Sequence, residues 1–183
     1  MKVEHITKKF ENKMVMSDFS CEIPDGKITF LMGASGIGKT TLLRIIAGLD
    51  TNFSGKIIKS GTICTVFQEP RLFPTLTVKE NICIVSDEEK EIQDILECLE
   101  ISNCKNMLPA ELSGGMKMRV SIARAIYANG DIYLMDEPFS SIDENMRERI
   151  IPVLFRKLSG KTVLIVSHNS DEAKKYADKI IIM

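Results

Sequence analysis

The residues best suited to chemistry run from Gly33 to Thr41: Gly33, Ala34, Ser35, Gly36, Ile37, Gly38, Lys39, Thr40 and Thr41, between the apolar run KITFLM and the run LLRIIAGL. Gly33, Gly38, Lys39 and Thr40 meet the pattern G-x-x-x-x-G-K-[ST] in the strand, loop, helix context that the pattern requires. Glycines let successive backbone N–H groups turn inward as an anion-binding nest, and the start of the following helix adds its dipole. Lys39 supplies a point charge for outer phosphates, and the Thr40 hydroxyl is placed to ligate Mg²⁺. The rival is an ordinary glycine turn before a helix. Such loops serve many nucleotide-binding proteins, so this one does not choose a function alone.

A second stretch, ELSGGMKMRVSIARAIYANG, narrows the choice. Ser113 can cap a helix whose first turn holds Gly114 and Gly115 and whose body carries Met118, Ile122 and Ile126 at core spacing, with Asn129-Gly130 ending it. A Ser-Gly-Gly helix start offers bare N–H donors, a hydroxyl and a positive dipole end, all suited to a terminal phosphate. Downstream, the apolar strand IYLM ends in Asp136 and Glu137. Successive side chains at a strand end point in opposite directions, so one carboxylate can face a metal while its neighbour faces a water.

Leu112 to Gly115, LSGG, resembles the signature sequence of the ATP-binding cassette (ABC) ATPases, and the resemblance covers essentially the whole chain in the correct order. The segment after Gln68, EPRLFPTLTVKENI, is similar in wording to importers of small oxyanions such as nitrate and sulfonates. The resemblance implies ATP and Mg²⁺ as cofactors, Lys39 on the phosphates, and Asp136 with Thr40 and Gln68 at the metal. It also implies Glu137 as the base that orients and deprotonates the lytic water. His168 matches the switch histidine that contacts the γ-phosphate and the catalytic glutamate, and Gln68 the glutamine that senses metal and water. Phe10 occupies the slot of the adenine-stacking aromatic, with a buried core phenylalanine as the rival. Asp143, in SSID, matches the loop that communicates across a dimer. Two departures matter: Met116 stands where the signature carries glutamine, implying altered rate or coupling. The chain is also short for the family, as either a minimal cassette or one whose C-terminal residues are absent.

The elements that must position these groups follow from local pattern. Phe19, Cys21 and Ile23 alternate as a strand, Pro24 to Gly26 turn, and KITFLM is a more buried strand. TLLRIIAGL is helical and stops at Gly48 to Asp50, and the segment from Gly55 to Phe67 reads as two short strands around Ser60-Gly61. Ile92, Ile95, Leu96 and Leu99 form a helical stripe, with carboxylates and Lys90 on the other side. IYLM and TVLIV, with a helix-like stretch between them, suggest a parallel sheet covered on both faces. The expected fold is α/β, a RecA-like P-loop NTPase core with a mainly parallel sheet, a small antiparallel β region and an inserted helical subdomain. Residues 1–68 and 129–183 are expected to form the nucleotide-binding core, and 69–128 the helical subdomain carrying the signature.

Composition bounds the partners. The net charge of −1 gives no global field for nucleic acid or anionic lipid. No apolar stretch reaches the roughly 18 to 20 residues of a membrane-spanning helix, and the N-terminus lacks an apolar signal core, so a cytosolic chain is expected. The 5 cysteines are scattered and read as small buried hydrophobes. The resemblance implies a head-to-tail dimer, with two-fold symmetry placing each Ser113 on the other copy's ATP. It further implies a transmembrane permease subunit, a solute-binding protein, and a place on the cytoplasmic face of the membrane. The apolar Leu72 and Phe73 beside prolines suit docking to a permease. A soluble ABC ATPase acting on nucleic acid or ribosomes is the first alternative, and a regulatory module without turnover the second.

Overall fold

The computed structural model describes residues 1–11, 13–85 and 92–183. Its residues cluster into two compact units: 1–65 with 131–137 and 160–183, and 66–130 with 138–159. The expected polar residue Lys90 lies outside the described residues.

In the first unit, β1 (Lys2–Phe10) pairs antiparallel with β2 (Lys13–Glu22) on one side and β4 (Ser54–Ile58) on the other. The second sheet runs in the order β5-β6-β7-β3-β8, built from β5 (Ile63–Val66), β6 (Ile132–Asp136), β7 (Thr162–Val166), β3 (Ile28–Met32) and β8 (Lys179–Ile182). The pairings of β6 with β7, β7 with β3 and β3 with β8 are parallel. Every residue of β6 and β7 is buried, the state that an unbroken apolar run demands when both faces are covered.

Helix α1 (Lys39–Ile46) follows the glycine loop and lays Leu42, Leu43, Ile45 and Ile46 into one core with Val3, Ile6, Met16 and Ile23 of the small sheet region and Leu31, Leu134 and Val166 of the large sheet. Each such side chain contributes roughly 1.5–3 kcal/mol by leaving water. That packing fixes where the loop can sit. The two strands expected around Ser60-Gly61 exist but divide between the sheets, β4 beside β1 and β5 beside β6.

The second unit is helical: α2 (Val78–Cys83), α3 (Ile92–Cys98), α4 (Gly114–Tyr127) and α5 (Glu144–Lys157). A capping box opens α2, with Thr77 Oγ accepting from the Glu80 amide and the Glu80 carboxylate accepting from the Thr77 amide at 2.7 Å. Ile92, Ile95, Leu96 and Leu99 are buried as the stripe requires. Helix α6 (Ser170–Tyr176) lies in the first unit, to which the chain returns at residue 160. Only Cys64 and Cys104 of the cysteines are buried; Cys21, Cys83 and Cys98 are half-buried, and none forms a disulfide. Among the described residues no helix is long and apolar enough to cross a membrane.

Candidate active site

The glycine loop joins β3 to α1. Gly33, Gly36 and Gly38 have φ of 155°, 77° and 115°. A Cβ on Gly38 would meet the Val15 side chain at 2.9 Å, so both backbone conformation and space restrict this position to glycine. Ala34, Ser35 and Gly36 are exposed at the loop's crown, and Ile37 is half-buried beneath it. Lys39 is buried and folds back along the loop, its ammonium donating to Gly33 O at 2.8 Å and Ala34 O at 2.9 Å. The charge is thus held at the mouth of the nest before any phosphate arrives. Thr40 is exposed and Thr41 half-buried at the head of α1.

Strand β6 carries Asp136 to the same end of the sheet. This carboxylate is 3% exposed. It interacts with the Thr40 hydroxyl, while Oδ1 has no hydrogen-bond partner among the described residues. Burial raises the Asp136 pKa above the ordinary value, and the Thr40 hydrogen bond, Lys39 and His168 offset only part of this. A buried carboxylate oxygen without a donor, next to a hydroxyl at the rim of a phosphate nest, fits Mg²⁺, which takes one or two carboxylates and completes its shell with substrate phosphates and water. Among the described residues no cluster of three or more His, Cys, Asp or Glu side chains is assembled for a metal.

Glu137 follows directly in the left-handed region, at φ 49°, which a residue with a Cβ adopts at a cost of about 1–3 kcal/mol. Its amide donates to Val166 O at 3.0 Å, locking the reversal against β7. The reversal turns the carboxylate toward His168, whose Nε2 lies 3.1 Å from Oε1. Burial raises the Glu137 pKa, His168 and Lys39 lower it, and the neighbouring Asp136 charge raises it. His168 itself is exposed, one residue before Asn169, whose carboxamide caps α6. A half-buried carboxylate held 3.1 Å from a histidine nitrogen, next to Asp136, is the arrangement of a base for water.

Phe10 ends β1 with its ring 49% exposed, which removes the core reading of this residue. It lines an open cavity with Thr40, Thr41, Arg44, Leu49 and Asn52. The first unit therefore brings together Phe10, the glycine loop, Asp136, Glu137 and His168.

The second unit holds the remaining candidates. Ser113 caps α4, its hydroxyl accepting from the Met116 amide at 3.2 Å. Ser113 and Gly114 are exposed. Gly115 approaches the loop before α5 so closely that a Cβ would stand 2.7 Å from Ser141 O. Asp143 caps α5 by accepting from the Met146 amide at 2.9 Å. Gln68 is exposed in the bend just after β5. Sequence reasoning missed Arg119, which is buried and donates to Leu99 O and Glu100 O, both at 2.9 Å, and to Gly115 O at 3.4 Å. Its place one turn after Gly115 in the signature helix was the available signal.

A family model described as ABC transporter matches residues 16–140. The chain belongs to the ABC transporter family. It is 40% identical over 182 residues to the aliphatic sulfonates import ATP-binding protein SsuB 2 of Pseudomonas syringae pv. tomato, covering 96% of this chain and 78% of that one. It is 37% identical to the sulfate/thiosulfate import ATP-binding protein CysA of Mesostigma viride, covering 98% of this chain and 58% of the other. The dimeric structure of the bacterial ABC transporter cassette MJ0796 superposes with a TM-score of 0.87 at 30% identity, covering 100% of this chain and 93% of that one. The same cassette in a dimeric post-hydrolysis state bound to ADP and Pi gives 0.84 at 30% identity, with the same coverage of 100% and 93%. The RecA-like α/β fold is thereby shown. As an ABC transporter ATPase subunit, the chain binds and hydrolyses ATP with Mg²⁺ as cofactor.

Proposed function

We propose that this cassette powers an importer of a small oxyanion such as a sulfonate, docked on the cytoplasmic face of a transmembrane permease and served by a solute-binding protein. The names of its relatives support that class of cargo. In this reading residues 1–68 and 129–183 act as the nucleotide-binding core and 69–128 as the helical subdomain that carries the signature.

Two copies close head to tail on two ATP molecules. The Gly33–Gly38 amides and Lys39 hold the phosphates, Phe10 stacks on the base, and Thr40, Asp136 and Gln68 hold Mg²⁺, which when bound neutralises phosphate charge. Glu137 takes the proton of the attacking water, and His168 keeps that carboxylate aimed while it reaches the γ-phosphate. Ser113, Gly114 and Gly115 present hydroxyl and amide donors to the γ-phosphate held by the other copy. Asp143, with one oxygen engaged as a helix cap, uses the other at the seam. Loss of the γ-phosphate removes the attraction between copies, and the opening motion is handed to the permease. Phe73, half-exposed and held by Asn81 through its amide at 2.8 Å, offers an apolar contact for that subunit.

The observation that carries this reading is the convergence of Lys39, Thr40, Asp136, Glu137 and His168 at the C-terminal ends of β3, β6 and β7, with Glu137 aimed by a 3.1 Å contact. The test is recovery of the tagged chain from detergent-solubilised membranes of its own host. Recovery with a multi-spanning subunit supports the transporter reading, and recovery only with ribosomes or DNA overturns it.

A further inference from the structure

Lys8 has no role in the chemistry above, yet it is 3% exposed and sits under the half-exposed ring of Phe10. Its ammonium lies 4.5 Å from the ring centroid. It donates to Asp50 Oδ1 at 2.8 Å and to Asn52 O at 2.6 Å. Three partners thus converge on one buried cation. Two of them belong to the segment after α1, and Asn52 and Asp50 line the same cavity as Phe10 and Thr41.

We propose that Lys8 is a positioning residue for the nucleobase, holding the Phe10 ring upright, covering one of its faces and bracing the Asp50–Asn52 wall so that a purine stacks on the remaining face. This rests on the reading of Phe10 as the base-stacking residue. Three physical effects act in the same direction. A pinned ring loses less rotamer freedom when the base arrives. A cation on one face draws electron density from the ring, which favours an electron-rich purine on the other. The neutralised Lys8–Asp50 pair leaves no free charge beneath the base.

The experiment measures binding of Mg·ATP and of magnesium tripolyphosphate, which has no base, by calorimetry. It uses Glu137→Gln protein carrying in addition Lys8→Met, Lys8→Arg or Phe10→Ala. The expected result for Phe10→Ala is ATP binding weakened about 5- to 150-fold, the range for loss of one stacked base. For Lys8→Met we expect about a 3- to 10-fold loss of ATP affinity, with tripolyphosphate binding unchanged and so reporting an intact fold. Lys8→Arg should restore ATP binding to within about two-fold, since its guanidinium can take the same face. Equal losses for ATP and tripolyphosphate in Lys8→Met overturn the proposal, because Lys8 then merely supports the loop. Unchanged ATP binding in Lys8→Met, with Phe10→Ala weakened, overturns it while sparing Phe10. Unchanged binding in Phe10→Ala instead removes the reading of Phe10 on which the proposal rests.

Discussion

The Nε2 atom of His168 stands 3.1 Å from Oε1 of Glu137, so the carboxylate proposed to deprotonate water meets a side chain from the end of the neighbouring strand. The contact has an electrostatic consequence as well as a geometric one, because His168 lowers a Glu137 pKa that burial raises.

Removing that histidine should therefore move the acid limb of hydrolysis. A base works only when ionised, so kcat/KM falls as the pH drops through its pKa, and the limb lies above the ordinary carboxylate range. His168→Ala should shift the limb further toward neutral pH and reduce kcat by about 10²-fold or more, the scale of general-base catalysis. A pH profile of phosphate release measures both, and an unshifted limb would show that His168 does not act on Glu137.

Asp136 should weaken the nucleotide-free fold. Its folded-state pKa is raised. Stability present below the ordinary carboxylate range is then lost as the pH rises through the folded value. Asp136→Asn should raise the stability of the nucleotide-free protein at neutral pH by on the order of 1 kcal/mol, the cost of a buried polar group left short of a partner. It should also abolish the added stabilisation that Mg²⁺ gives in the presence of ATP. Thermal melts with ATP and either Mg²⁺ or a chelator read both effects; a variant less stable than wild type without nucleotide would contradict the account.

Gly115 is required by space and not by backbone conformation. Gly115→Ala places a methyl 2.7 Å from Ser141 O, and backbone must move to admit it, at a cost of about 1–3 kcal/mol. We expect hydrolysis to fall at least tenfold while ATP affinity, measured at protein concentrations that disfavour dimers, stays within about three-fold. A matching loss of affinity would place the signature helix on the chain's own nucleotide.

Much of this site could be read from local pattern because its signals are local. The glycine loop, the Ser113 cap and the buried runs IYLM and TVLIV each declare their geometry within a few residues, and the structure places each in the expected kind of element. What sequence could not supply depends on distant partners. Nothing near Ser60 and Gly61 says that β4 joins β1 while β5 joins β6. Glu137 has no local propensity for φ 49°; the reversal is held by the hydrogen bond that its amide donates to Val166 O. Lys8 sits in ITKKF, where a lysine reads as solvated, and only Asp50 and Asn52, more than forty positions later, explain its burial. The methionine at position 116 leaves the Ser113 cap intact, since the bond uses its amide and not its side chain.

The shared-seam mechanism makes its sharpest statement about mass. Glu137→Gln keeps the backbone and the size of the side chain but removes the base, so ATP remains intact once bound. Light scattering of that variant in Mg·ATP should report a dimer with two nucleotides, reverting to monomer when Ser113 is also replaced by Glu or when ADP is substituted. A monomer that holds Mg·ATP tightly at every concentration tested would contradict the mechanism at its root.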